Sequence, residues 1–114
     1  MLAKIFRFHG HGSVRSAYRY GRSVRGAIGS LHVHTDPKHP TLKVAVVVSK
    51  KVSKSAVVRN RIRRRVFSQV QSVKPKLSKP AELVFTIYDA RVALMPSDEL
   101  AQEVTGLLSR AKLL

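Results

Sequence analysis

Eight of the chain's 22 basic residues stand between Ser49 and Phe67, and no acid stands among them. Lys50, Lys51 and Lys54 come first, followed by Arg59, Arg61, Arg63, Arg64 and Arg65. A group of this kind holds anions. Each guanidinium presents a planar fork of donors that matches two phosphate oxygens, while each ammonium is a compact point charge. Asn60 adds an amide that both donates and accepts, so Arg59-Asn60-Arg61 suits phosphate oxygens and base edges together. Ser49-Lys50-Lys51 contributes a hydroxyl and two charges just ahead of a predicted helix, whose N-terminus itself attracts anions. A solvated helix face ordinarily mixes signs to gain ion pairs four residues apart. Here Arg61, Arg63, Arg64 and Arg65 repel one another in the free chain, and an anionic partner would relieve that cost.

Other constellations are weaker. His9-x-His11 and His32-x-His34 have the spacing of paired ligands, but the chain has no cysteine and no supporting set of carboxylates, so no dedicated metal site is expected. Asp89, Asp98, Glu99 and Glu103 could form carboxylate pairs for acid–base work, yet none lies in the basic part of the chain. Asp98 and Glu99 fit better as acids in the first turn of a helix. Serine, histidine and aspartate all occur, without the strained turn that marks an activated serine. No catalytic residue is expected in the protein itself.

The elements that position these residues can be read from periodicity. Ser13 can cap a short helix that ends before Gly21. That helix would carry Val14, Ala17 and Tyr18 on one face and Arg15, Arg19 and Arg22 as a basic stripe on another. Residues 28–35 alternate like a half-buried strand, with Leu31 and Val33 facing one way and His32 and His34 the other. The Asp-Pro-Lys-His-Pro turn over residues 36–40 predicts a hairpin to the next strand, 42–48, whose near-continuous apolar run reads as a central strand. A helix from about Ser55 to Val73 follows. Val58, Ile62, Val66, Val70 and Val73 share its core arc, and the other arginines lie outside it. Arg59 falls inside that arc one turn from the start, so either the helix unwinds there or the guanidinium reaches past the end of the helix. Prolines 75 and 80 stop the helix, a strand covers 82–88, and Pro96-Ser97-Asp98-Glu99 starts a last helix with Ser97 as its cap. Leu100, Val104, Leu107, Leu108 and Ala111 give that helix its apolar face. With a short extra strand near 22–26, the order is α-β-β-α-β-α. This is an α+β fold, a two-layer sandwich of helices against a small mixed sheet, and one domain over residues 1–114.

Charge is distributed unevenly. Of the 22 Lys and Arg and 6 Asp and Glu, all but Arg91, Arg110 and Lys112 and only Asp36 among the acids fall before residue 82. One part of the fold therefore carries a strong positive field, and nucleic acid is the commonest polyanion to meet it. A membrane role is not expected, because no apolar run approaches the ~20 residues needed to span a bilayer. The absence of cysteine fits a reducing compartment, and no secretory leader is evident, so a cytoplasmic protein is expected.

Ser49-Lys50-Lys51, followed by Ala56-Val57-Val58-Arg59-Asn60-Arg61-Ile62-Arg63-Arg64, resembles the signature of the bacterial ribonuclease P protein component. That signature is a Ser-Lys-Lys loop and then Arg-Asn-Arg-x-(Lys/Arg)-Arg on a helix after a hydrophobic strand. The resemblance implies a fold like domain 2 of ribosomal protein S5, with a left-handed β-α-β crossover, where sequence alone favours the common right-handed one. It implies a protein subunit that binds a catalytic RNA and the 5′ leader of precursor tRNA, while the RNA cleaves with Mg²⁺ that it mainly holds itself. It also implies RNA-binding roles for Ser49, Lys50, Lys51, Arg59, Asn60, Arg61, Arg63 and Arg64; Arg65 is a basic residue beside them, outside the motif, that joins the expected RNA-binding set. For the leader it implies Tyr18 and position 14, where the family has a second aromatic and this chain has Val14. Arg15, Arg19, His32 and His34 are their expected companions. The loop Val52-Ser53-Lys54-Ser55 is one residue longer than the commonest spacing.

The leading expectation is thus the protein subunit of a ribonuclease P ribonucleoprotein, monomeric within it. The alternative is a small ribosomal or other structural RNA-binding protein. Charge and fold class suit both, and only the first accounts for the Ser-Lys-Lys and Arg-Asn-Arg run together with Tyr18.

Overall fold

The computed structural model of the protein describes residues 22–35, 42–78 and 81–114. The predicted helix ahead of Gly21, with Val14, Arg15, Tyr18 and Arg19, lies outside the described residues, as does the turn over 36–40.

Among the described residues there are four strands, β1 (Arg22–Arg25), β2 (Gly29–His34), β3 (Lys43–Val48) and β4 (Glu82–Ile87), and two α-helices, α1 (Ala56–Val73) and α2 (Ser97–Arg110). The sheet order is β1-β2-β4-β3. β1 runs antiparallel to β2 and β2 to β4, whereas β3 and β4 are parallel and joined through α1. This is the expected α+β arrangement with a mixed sheet, and the short extra strand near residue 22 is real.

Two expectations about pairing fail. β2 and β3 do not form a hairpin, because β4 lies between them, and β3 is an outer strand of the described sheet rather than a central one. A turn reverses the chain without choosing its partner. β4 takes the inner place because it can be buried on both faces: Leu83, Phe85 and Ile87 on one and Val84 on the other are all at most 1% exposed. In β3 only Val44, Val46 and Val48 are buried, while Ala45 and Val47 are half-buried.

α1 begins at Ser55, whose hydroxyl oxygen accepts from the Val58 N–H at 3.3 Å. Ile62, Val66 and Val70, each one turn beyond the last, are fully buried, and Val58 and Val73 extend the stripe half-buried. The serine cap expected for α2 does not form. Pro96 occupies the cap position and Ser97 is the first helical residue. Extended at ψ 143°, Pro96 presents its own carbonyl to the Leu100 N–H at 2.9 Å, so the helix starts without a side-chain cap. Asp98 and Glu99 occupy its first turn, and Leu100, Val104, Leu107, Leu108 and Ala111 are buried as expected.

Both helices share one hydrophobic core with Leu31, Val33, Val44, Val46, Leu83 and Phe85, and so cover the same face of the sheet. Strand alternation puts His32, His34, Ala45, Val47 and Val84 on the other face. Gly29 allows two strands to close up: a Cβ there would stand 2.2 Å from the Thr86 carbonyl oxygen.

Candidate nucleic-acid interface

The basic stretch occupies the connection between β3 and α1 and the helix that follows. After β3, the Val52 N–H donates to the Ser49 carbonyl at 3.1 Å, closing a turn that leaves Ser49, Lys50 and Lys51 exposed. Val52 turns inward and packs on the core. The Ser55 N–H donates to Ser53 Oγ at 3.2 Å, and Lys54 points outward as a third exposed ammonium. Three lysines are therefore presented at the entrance of α1, whose first turn holds no acid.

The arginines divide into two groups. Arg61 and Arg64 are exposed and make no hydrogen bond to protein among the described residues. Val57, 74% exposed and one turn before Arg61, lies on the same side of the helix. Its position marks the outward face as mixed apolar and cationic, which suits a ribose or base beside a phosphate. That residue was readable from the wheel, since it falls four before Arg61 and seven before Arg64, but a lone valine carries no charge signal.

Arg59, Arg63 and Arg65 are engaged. Arg63 donates to the Asn60 amide oxygen, which uses one of that oxygen's two lone pairs and leaves the Asn60 NH₂ to face a ligand. Arg59, half-buried, resolves the anomaly of its position: α1 stays helical, and the guanidinium folds back past the helix start to the carbonyls of Ser53 and Lys54. Arg65, expected in the RNA-binding set, is engaged within the fold. Its two terminal nitrogens donate to the carbonyls of Val92, at 2.6 Å, and Met95, clamping α1 to the turn after β4. A basic residue on a polar arc reads the same in sequence whether it faces solvent or a neighbouring carbonyl. Arg22, expected to extend a basic stripe, instead sits in β1 and donates to the Ala111 carbonyl at 2.6 Å.

The expected strand histidines lie together on the face of the sheet away from the two helices. His34 Nδ1 stands 3.0 Å from Glu82 Oε2 on the paired strand β4, and His32 lies opposite Val84. Burial holds the His32 imidazole below its ordinary pKa. The structure brings Ser49, Lys50, Lys51, Arg59, Asn60, Arg61, Arg63 and Arg64 onto one connected edge, and places His32 and His34 on the sheet.

The carboxylates belong elsewhere. Asp89 accepts from the Arg91 side chain and from the Arg91 N–H at 2.9 Å, where it caps the short turn Ala90–Ala93. The Arg91 side-chain hydrogen bonds, then its backbone N–H, hold the Asp89 carboxyl below its usual range. Among the described residues no group of three or more His, Cys, Asp or Glu could hold a metal ion. The lysines and arginines of the edge repel a cation and do not fit Mg²⁺. Among the described residues, no helix is long and apolar enough to cross a membrane.

Comparison with known proteins identifies the family. The ribonuclease P family profile matches residues 2–112. A ribonuclease P protein component from Pseudanabaena is 34% identical over 98 residues, covering 85% of this chain and 83% of that protein. The ribonuclease P protein component of Symbiobacterium thermophilum is 32% identical over 113 residues, 99% of this chain and 96% of that one. The solved structure of the Staphylococcus aureus RNase P protein has the same fold, with a TM-score of 0.83 at 19% identity over 96% of this chain and 98% of that chain. The ribosomal alternative is therefore not favoured: with its loop lysines, its arginine helix and a profile match along nearly its whole length, the chain belongs to the bacterial ribonuclease P protein family.

Proposed function

We propose that this protein is the RNA-binding subunit of a cytoplasmic ribonuclease P ribonucleoprotein that removes the 5′ leader of precursor tRNA, with the cleavage step carried by the catalytic RNA. The reading rests on one observation above all. Lys50, Lys51, Lys54, Arg61 and Arg64 form an exposed cationic edge with no acid in it and no protein hydrogen bond on either arginine among the described residues. Phosphate is the group this edge binds best, and α1 supplies both point charges and planar forks for it.

In this proposal the edge seats the catalytic RNA, and the sheet face away from the helices, with His32 and His34, receives the leader. Val14, Arg15, Tyr18 and Arg19, outside the described residues, are its companions there. With valine at position 14, one stacking platform is missing, and stacking contributes roughly 1–3 kcal/mol per base. Mg²⁺ is held by the RNA; the protein helps by neutralising phosphates, so that RNA, substrate and metal come together at lower Mg²⁺. One protein chain acts in each ribonucleoprotein. The parallel β3–α1–β4 connection is assigned the left-handed crossover of the S5 domain 2 class, on the strength of family membership.

Reconstitution tests this. The protein is added to a bacterial ribonuclease P RNA at low Mg²⁺ and 5′-leader removal is followed on precursor tRNA. The expected result is faster cleavage than by RNA alone, with the stimulation fading as Mg²⁺ rises. No stimulation at any Mg²⁺ concentration refutes the assignment.

A further inference from the structure

Arg59 differs from the arginines around it. Its Nη1 donates to the Ser53 carbonyl at 2.9 Å and to the Lys54 carbonyl at 3.0 Å, which uses both hydrogens of that nitrogen. Its backbone N–H donates to the Ser55 carbonyl at 3.1 Å. One residue therefore grips three consecutive carbonyls of the connection that carries Lys50, Lys51 and Lys54. Of the five donors in a guanidinium fork, those on Nε and Nη2 have no acceptor among the described residues and make an edge still able to take a phosphate.

Electrostatics opposes this arrangement in the free protein. A cation close to the start of α1 works against the helix dipole, and it is bonded to a loop that carries three further positive charges. A neutral donor could hold the carbonyls without that cost. A cation is favoured there only if an anion arrives, and the same anion would then meet a loop already held in place.

Building on the RNA-binding reading above, we propose that Arg59 is a positioning residue for the lysine loop. One edge of its guanidinium fixes the Ser53 and Lys54 carbonyls and the other takes a phosphate, so that Lys50, Lys51 and Arg59 engage an RNA backbone as a unit. The loop lysines then contribute fully only when Arg59 holds them.

Two measurements test it on the full-length protein. The first needs no RNA: amide hydrogen exchange of Val52 to Ser55 in the wild type, Arg59→Lys and Arg59→Gln. Arg59→Lys keeps the charge but loses the fork, and Arg59→Gln keeps an N–H donor without the charge. Exchange should accelerate about tenfold or more in Arg59→Gln, whose amide is too short to reach the carbonyls that Nη1 holds, corresponding to the loss of roughly one hydrogen bond's net stabilisation, and less in Arg59→Lys, whose ammonium keeps three donors. Unchanged exchange in Arg59→Gln overturns the proposal, whether or not RNA binds. The second is a cycle in which Lys50→Ala with Lys51→Ala is combined with Arg59→Gln, and affinity for ribonuclease P RNA is read at fixed salt. The lysine pair should matter about tenfold in the wild type and less than about threefold in the Arg59→Gln background, the coupling expected of contacting groups. Additive losses refute the joint engagement. If the wild type does not bind this RNA, the functional reading fails, and the loop clamp is decided by exchange alone.

Discussion

Arg61→Ala and Arg65→Ala each remove one positive charge from the same helix, and an account based on net charge alone gives them equal effects. The geometry separates them. Residues four apart on an α-helix stand about 40° apart around its axis, and that rotation carries the guanidinium from open solvent to the carbonyls of Val92 and Met95. For Arg61→Ala the loss falls on binding. One phosphate contact fewer lowers the slope of log affinity against log salt by about 0.7–0.9, which over a fourfold change in salt is about a threefold difference. Stability should move by less than about 0.5 kcal/mol. For Arg65→Ala the loss falls on the fold. Hydrogen bonds from a charged donor contribute about 1.5–3 kcal/mol each; with the half-exposed setting taken into account, the pair should cost about 2–3 kcal/mol. That corresponds to about 8–12 °C in Tm for a domain of this size, with an unchanged salt slope. The assay pairs thermal melts with RNA binding between 50 and 200 mM salt. If Arg65→Ala melts like the wild type and loses salt slope as Arg61→Ala does, the clamp is wrong and Arg65 belongs to the RNA.

Two further outcomes are expected. Gly29→Ala would place a Cβ 2.2 Å from the Thr86 backbone oxygen, an atom that cannot rotate away; the β2–β4 pairing must shift, and a loss of about 3 kcal/mol or more in urea unfolding is expected, whereas a near-neutral effect would show that the strands part easily. His32 has a lowered pKa in the fold because burial disfavours its charged form. Below the unfolded value of about 6.5 the unfolded chain binds a proton that the fold resists, so stability present above that pH falls as pH drops towards the folded value. His32→Gln should flatten the stability profile below about pH 6.5, and an unchanged slope there would place the titrating group elsewhere.

Helix faces were legible in the sequence because burial follows a period the residues display directly. Ile62, Val66 and Val70, and Leu100, Val104 and Leu107, all read as core and all are fully or almost fully buried. The cationic edge was legible too, since loop lysines and helix arginines are neighbours along the chain. Strand order was not. The valines of β3 and the mixed apolar residues of β4 look alike as local patterns, and only competition for a two-sided burial site puts β4 inside. Nor could sequence distinguish Arg65 from Arg64, because the carbonyls that capture Arg65 come from a turn some 30 residues later. Arg59 was visible as a misfit in the apolar arc, and its partners turned out to be the loop it follows.

The place of β4 in the sheet has a consequence for how the chain reaches its fold. β4 bonds both β2 and β3, which precede it, and Leu31 pairs with Phe85 across roughly fifty residues. Closing a flexible loop of that length costs about 3.5 kcal/mol before any strand pairing repays it. Until residues 82–87 leave the ribosome, β3 has no described partner and the apolar stripe of α1 has no platform. The most cationic segment is therefore made before the strand that secures it. Folding is gated by a strand from the chain's final third, and during synthesis the arginine-rich crossover meets a cell full of RNA before it has a sheet to rest on.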